Sequence, residues 1–303
     1  MSNILLIGGE GYIGSELKSY FLKENNFVVS LDNLIYKQKK PKDTSNFKFY
    51  KLDITNYRNY KNILCKYNFD LIVLLAGLVG DPITKKYPKK STIINLNGVK
   101  KTILTSLKYS KAKFVFISTC SNYGIKKKPA TEKSKLKPLS TYAKHKVFAE
   151  KFIMSKKFKK NCWTILRFAT IYGPSTRMRF DLTINEFVRE LYYKKKLLVY
   201  DPNTVRPYCY IDDVSRLLSV ILKSKKKIIS NKIFNVGRND QNFSKRELVI
   251  YLKKFFKRGD IEFLKKTVDK RNYRVKFDKI KKQLGFAPKT KLNLGIKQII
   301  NLI

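Results

Sequence analysis

Ile4-Leu5-Leu6-Ile7-Gly8-Gly9-Glu10-Gly11-Tyr12-Ile13-Gly14 is the stretch that decides the fold. Four apolar residues read as a strand, and glycines at a three-residue spacing follow at once. Gly8 permits a tight strand-to-helix turn, Gly11 lets the backbone approach a pyrophosphate, and Gly14 lets the new helix pack against the sheet. The helix start, with Tyr12 and Ile13, offers amide donors and a partial positive charge to phosphates. An ordinary turn between a strand and a helix is the plain alternative, so the flanking sequence has to decide.

Moving outward, Val28-Val29-Ser30-Leu31 reads as a second strand that ends at Asp32. A carboxylate at that point accepts both ribose hydroxyls of a dinucleotide and repels a 2'-phosphate, which favours NAD over NADP, with Asn33 beside it and Lys37 close by. Asp53 and Ile54 follow a third strand, where a short side chain would meet the adenine edge. Leu75-Ala76-Gly77 follow a fourth, where small residues let a cofactor lie against the backbone. Each of these alone reads as a plain loop; their value is positional.

Strand-like runs at 4–7, 28–31, 47–52, 71–75, 114–118 and 164–168 alternate with helix-like segments at 14–25, 57–67, 91–109 and 141–157. The strands are continuous apolar runs, as expected where helices cover both faces. The expected fold is therefore α/β, a Rossmann-type doubly wound parallel sheet. After Tyr172-Gly173-Pro174 the rhythm changes, with helices near 181–195, 212–223, 244–257 and 294–302. This places an NAD-binding domain at 1–172 and a smaller C-terminal α/β substrate lobe at 173–303. Residues 208–238 are expected to return to the first domain through a strand at 233–236.

Composition narrows the chemistry. His145 is the single histidine, which removes Ser-His-Asp devices and multi-histidine metal sites. Cys65, Cys120, Cys162 and Cys209 are scattered, so reduced thiols are expected and neither disulfides nor zinc. No apolar run reaches the roughly 20 residues of a membrane span, and the N-terminus lacks a basic leader; a cytoplasmic location is expected. The charge of +44, from 66 Lys and Arg against 22 Asp and Glu, would suit a polyanion partner. Its clusters at 37–42, 126–128, 194–196 and 225–227 are spread along the chain, which reads as a solvated surface, and no nucleic-acid partner is expected.

Tyr142 and Lys146 lie one helical turn apart on one face. A phenol is a poor base at neutral pH, but a nearby ammonium and a positive nicotinamide ring both favour its phenolate. Tyr142 would then take a hydroxyl proton as hydride leaves the same carbon, while Lys146 also holds the nicotinamide ribose. In so lysine-rich a chain the spacing alone means little. Ser118-Thr119-Cys120-Ser121-Asn122-Tyr123-Gly124 raises it, because this hydroxyl-rich segment follows the fifth strand, near where a nicotinamide would lie. Ser118 joins the cofactor-binding candidates, and Thr119 is placed to hydrogen-bond the reacting oxygen.

Together with Arg167-Phe168-x-x-x-Tyr172-Gly173-Pro174 and Arg206-Pro207-x-x-x-Ile211-Asp212-Asp213, these motifs resemble the extended short-chain dehydrogenase/reductase superfamily in its sugar-nucleotide epimerase/dehydratase branch, over nearly the whole chain. The resemblance implies NAD as cofactor, a nucleotide-sugar substrate, and a homodimer formed through the helices at 91–109 and 141–157. It makes Tyr142 the base, Lys146 its partner and Thr119 the substrate hydrogen-bonder, with Cys120 and Ser121 beside it. Arg206 and Arg271 fall where the family grips the pyrophosphate, and Asn185 where it contacts substrate. A planar guanidinium suits phosphate because it donates two bonds at once.

One departure points to the reaction. The dehydratases and decarboxylating members carry a carboxylate after the fifth strand, whereas this chain has Thr119-Cys120-Ser121. Elimination lacks its machinery, and reversible oxidation at one carbon, as in 4-epimerisation, is the expected reaction. A one-way dehydrogenase or reductase, or a dehydratase, of the same family is the alternative. From another class, a cofactor-binding regulator or polyanion-binding protein would keep the fold without needing Thr119, Tyr142 and Lys146.

Overall fold

A computed structural model describes residues 1–256, 259–265 and 270–303. Its strands are β1 (Asn3–Ile7), β2 (Phe27–Asp32), β3 (Phe47–Lys51), β4 (Leu71–Leu74), β5 (Lys113–Thr119), β6 (Trp163–Phe168), β7 (Thr170–Tyr172), β8 (Leu197–Tyr200), β9 (Val205–Tyr210), β10 (Lys232–Val236), β11 (Asn242–Ser244) and β12 (Ile261–Leu264). The first six helices are α1 (Tyr12–Lys23), α2 (Tyr57–Lys66), α3 (Asp81–Lys86), α4 (Pro88–Thr92), α5 (Val99–Tyr109) and α6 (Thr141–Ile153).

The chain forms two compact units. The first comprises Met1–Thr119, Ser140–Arg167 and Ser215–Phe234. Its seven-stranded sheet runs β10-β6-β5-β4-β1-β2-β3, and β1 is paired in parallel with both β2 and β4. The order reverses beside β1, the arrangement that opens a ligand crevice at the carboxyl ends of such strands. Leu5, Ile7, Leu31, Leu74, Phe114 and Phe116 face one side of the sheet and pack with Ile103, Leu107, Ala149 and Ile153 from the helices. Burial on both faces explains why the central strands β1 and β4 carry no polar alternation, whereas the edge strand β3 alternates Phe47 and Phe49 with Lys48 and Tyr50.

The second unit comprises Cys120–Leu139, Phe168–Val214 and Asn235–Ile303. It holds a three-stranded sheet, β11-β9-β7, and a two-stranded parallel pair, β12-β8. The α/β lobe expected there is present, but its strands were not legible beforehand.

Several boundaries differ from expectation for local reasons. The helix expected at 91–109 begins at Pro88, whose fixed φ suits a first turn, and it carries a π turn at Ile93–Gly98. The helix expected to 157 stops at Ile153, and a 3-10 turn follows at Lys156–Phe158. The one near 181–195 is Thr183–Tyr192. That near 244–257 runs Lys245–Leu252 behind a capping box of Ser244 and Glu247, and Lys257 lies outside the described residues. Helix α3 was not expected. Among the described residues no helix is long and apolar enough to cross a membrane.

Candidate active site

In the first unit the glycine turn has the geometry its sequence predicts. Gly8 has φ of +88°, and a Cβ there would lie 2.7 Å from the Ala76 amide nitrogen, so only glycine lets β1 and the loop after β4 meet. Gly14 serves close packing of the helix start. Its missing Cβ would lie 2.7 Å from Gly9 Cα, so it seats the start of α1 on Gly8-Gly9, the turn that leaves β1. Tyr12 and Ile13 form the first turn of α1 beyond Gly11, which has extended dihedrals as its cap.

Asp32 ends β2 with its carboxylate already held: Oδ2 accepts from the Glu10 amide at 3.0 Å and Oδ1 from the Leu34 amide at 2.9 Å. Glu10 is itself buried, accepting from Ser30 Oγ at 2.7 Å and pairing with Lys18. Gln38 Nε2 donates to the Glu10 carbonyl at 3.0 Å, and Gln38 Oε1 is buried with no hydrogen-bond partner among the described residues. Asn33 Nδ2 donates to Asp53 Oδ2 at 2.8 Å, and the Thr55 amide and hydroxyl donate to Asp53 Oδ1. Burial works against the ionised Asp53, but the bonds from Thr55 and Asn33 prevail and keep its carboxyl below the usual carboxylate range. Ile54 packs against Gly98, where an added Cβ would lie 3.0 Å from Ile54 Cγ1.

After β4, Leu75 and Ala76 donate to the Ile7 carbonyl and Gly77 has φ of +151°. The next peptide is clasped from across the unit. Asn95 Oδ1 accepts from the Leu78 amide at 2.8 Å while its Nδ2 donates to the Leu78 carbonyl at 2.9 Å. Asn95 sits on the π turn, where an inserted residue re-aims a side chain that α-helical spacing would direct elsewhere. Sequence reasoning missed both Asn95 and Gln38; no spacing rule marks either.

Helix α6 carries Tyr142 and Lys146, with Ser140 capping it through the Ala143 amide at 3.2 Å. Lys146 Nζ lies 5.9 Å from the centroid of the Tyr142 ring and donates to the Ile117 carbonyl at 2.7 Å. Burial draws the Lys146 pKa down to about 8, with the Glu150 carboxylate opposing the fall. Tyr142, Lys146, Phe116, Ala76, Gly77 and Asn95 are among the residues lining one cavity of this unit, which His145 also borders. His145 is buried, places Nδ1 3.4 Å from Ser91 Oγ, and is held toward its neutral form by burial. At the end of β5, Ser118 Oγ donates to Glu150 Oε1 at 2.5 Å, and Thr119 is buried as the last strand residue.

The remaining candidates belong to the second unit. Cys120 and Ser121 begin its 3-10 turn Cys120–Tyr123, and Cys120 is fully buried. Arg271 Nη1 donates to Ser121 Oγ at 3.3 Å, while Arg206 Nη1 donates to the Arg271 carbonyl at 2.5 Å and lies over the Tyr273 ring at 5.2 Å. Ser121, Arg206 and Arg271 are thus brought together. Asn185 is engaged differently: Oδ1 accepts from the Gly173 amide at 3.1 Å and Nδ2 donates to the Arg179 carbonyl at 3.0 Å. Its amide braces the Gly173 turn. Among the described residues no cluster of three His, Cys, Asp or Glu fits a metal ion.

The first unit fits a bound dinucleotide on its own evidence: a turn that excludes side chains, a carboxylate pinned at the end of β2, and a buried amide oxygen at Gln38 with no donor among the described residues. Comparison with known proteins agrees. Residues 4–237 match the model of the NAD dependent epimerase/dehydratase family. The chain is 28% identical over 319 residues to a UDP-glucuronate 4-epimerase of Thermodesulfobacterium geofontis, covering 99% of this chain and 96% of that one. It is 30% identical to a dTDP-D-glucose 4,6-dehydratase of Dictyostelium discoideum over 78% of this chain and 58% of the other. Among solved structures, a UDP-glucose 4-epimerase of Thermotoga maritima with UDP-glucose superposes with a TM-score of 0.84 at 25% identity, covering 99% and 97% of the two chains.

Proposed function

Because the chain belongs to the NAD dependent epimerase/dehydratase family, we propose that it is an NAD-dependent UDP-sugar 4-epimerase. The observation that carries this reading is Lys146, a buried ammonium 5.9 Å from the Tyr142 ring on the helix beside the end of β5. Its charge favours the phenolate at Tyr142 Oη, which takes the proton of the sugar C4 hydroxyl and later returns it. Thr119 Oγ1 donates to the same sugar oxygen and orients it. Gly8, Gly11, Tyr12 and Ile13 hold the pyrophosphate of NAD; Asp32, Asn33, Asp53 and Ile54 its adenosine; Leu75, Ala76, Gly77, Ser118 and Lys146 its nicotinamide half. Bound NAD supplies reversible two-electron oxidation of the sugar carbon. In the second unit Arg206 and Arg271 grip the nucleoside diphosphate, with Ser121 and Cys120 beside them.

Epimerisation is favoured over dehydration because Thr119-Cys120-Ser121 carries no acid to expel water. The likeness to a UDP-glucuronate 4-epimerase along nearly the whole chain supports a UDP-sugar. We further propose a homodimer through α5 and α6 with the π turn before α5, where Ile93 and Phe148 remain exposed, and no nucleic-acid partner. The four free cysteines support a reducing, cytoplasmic setting.

The test is direct. Purified protein given NAD and UDP-glucuronate or UDP-glucose forms the C4 isomer without net NADH, and Tyr142→Phe lowers kcat by roughly a thousandfold. Stoichiometric NADH would make it a dehydrogenase instead, and near-normal turnover in Tyr142→Phe would remove the assigned base.

A further inference from the structure

Ser118 and Ile117, the two residues before Thr119, are both tied to α6. Lys146 Nζ takes the Ile117 carbonyl, and Glu150, one turn further along, takes the Ser118 hydroxyl. Glu150 is 1% exposed, and a carboxylate so deep needs compensation. Arg167 of β6 supplies it with Nε 3.1 and 3.2 Å from the two carboxylate oxygens and Nη2 2.6 Å from Oε2. Arg167 is only 3% exposed. Neither residue reaches Tyr142 or Thr119 in any bond described above, so the proposed chemistry leaves both unexplained.

A buried ion pair is weak evidence of stabilisation, since well-packed apolar residues of similar size often serve as well or better. What such a pair does provide is direction. The Arg167 fork fixes the Glu150 carboxylate from the sheet side, leaving Oε1 aimed at Ser118. Helix α6 carries the base, β5 carries the hydroxyl that orients the substrate oxygen, and Glu150 is the side chain that joins α6 to the residue immediately before Thr119. A misplacement on the order of 1 Å between two such groups costs about a hundredfold in rate.

We propose that Glu150 and Arg167 are positioning residues: the carboxylate locked by Arg167 holds Ser118, and with it Thr119, in register with Tyr142. The inference rests on the epimerase reading above for its catalytic consequence, but its structural half stands apart from it. Glu150 also supports the ammonium at Lys146, so removing its charge moves the alkaline limb of the pH profile toward lower pH.

Removing one partner alone would strand a buried charge and threaten folding, so the test uses the double variant Glu150→Met/Arg167→Met, which keeps apolar volume in place. Ser118→Ala is the companion, since it deletes the held hydroxyl and leaves the ion pair intact. Expected in both is a melting temperature close to wild type and a kcat lower by about tenfold or more with KM changed less than about twofold, the mark of an interaction felt in the transition state. Amide exchange at residues 117–119 should be faster in both, and the alkaline limb displaced only in the double variant. Wild-type kcat and wild-type exchange in either variant would overturn the proposal and leave the pair a structural filler. If the wild-type protein turns over no nucleotide sugar, the epimerase reading fails, and the exchange measurement still decides whether Glu150 holds the strand end.

Discussion

Replacing Lys146 by Met should make the protein inactive and more stable, and the structure sets the size of the stability change. Burial draws the Lys146 pKa from 10.5 to about 8, so at neutral pH the folded state carries a charge it disfavours by about 3 kcal/mol, at 1.36 kcal/mol per pH unit. A methionine of similar length removes that penalty. It also strands the Ile117 carbonyl, which accepts from Nζ at 2.7 Å, a loss of about 1 kcal/mol. The net expectation at pH 7 is a gain on the order of 2 kcal/mol. The sign follows from proton binding: between pH 8 and 10.5 the unfolded lysine binds more proton than the folded one, so wild-type stability rises with pH across that window. The advantage of Lys146→Met is therefore full below pH 8 and shrinks toward pH 10.5. Urea unfolding of cofactor-free wild type and variant at several pH values measures the difference, and comparing the pair cancels the many surface lysines. Equal stability at pH 7, or a difference that does not change with pH, would refute the argument.

Two further outcomes can be checked with simple variants. Gln38→Ala should weaken NAD and AMP by roughly tenfold each by calorimetry while leaving binding of nicotinamide mononucleotide unchanged, because Oε1, unpaired among the described residues, lies beside the Asp32 end of the proposed cofactor site. Asn185→Ala should lower stability by about 2 kcal/mol in denaturant unfolding, with KM for the nucleotide sugar altered less than Arg206→Ala alters it, since its amide is engaged with Gly173 and Arg179.

What could be read from the sequence was local. The glycine turn, Asp32 at a strand end, and Tyr142 with Lys146 depend on spacings within one strand, one turn or one helical turn, and the sheet strands announce themselves because both faces are buried. What escaped was carried by distant partners. Gln38 meets Glu10 from 28 positions away, and Asn95 reaches Leu78 only because the π turn shifts its direction. Glu150 left a trace, an acid one turn after Lys146, whose meaning lay in Arg167 on a separate strand. In the second unit β8 pairs with β12, and the two are four-residue runs far apart along the chain, each too short to stand out from its loop until its partner is known.

The seven-stranded sheet takes one of its two edge strands, β10, from Lys232–Val236. Translation must therefore run more than 220 residues past β1 before that edge of the sheet can be added. Until then Trp163–Phe168, buried along its whole length in the finished protein, presents a bare hydrophobic border to other nascent chains. Cutting the gene after the apparent dinucleotide half would make that transient hazard permanent, and the shortened product would be expected to precipitate on synthesis.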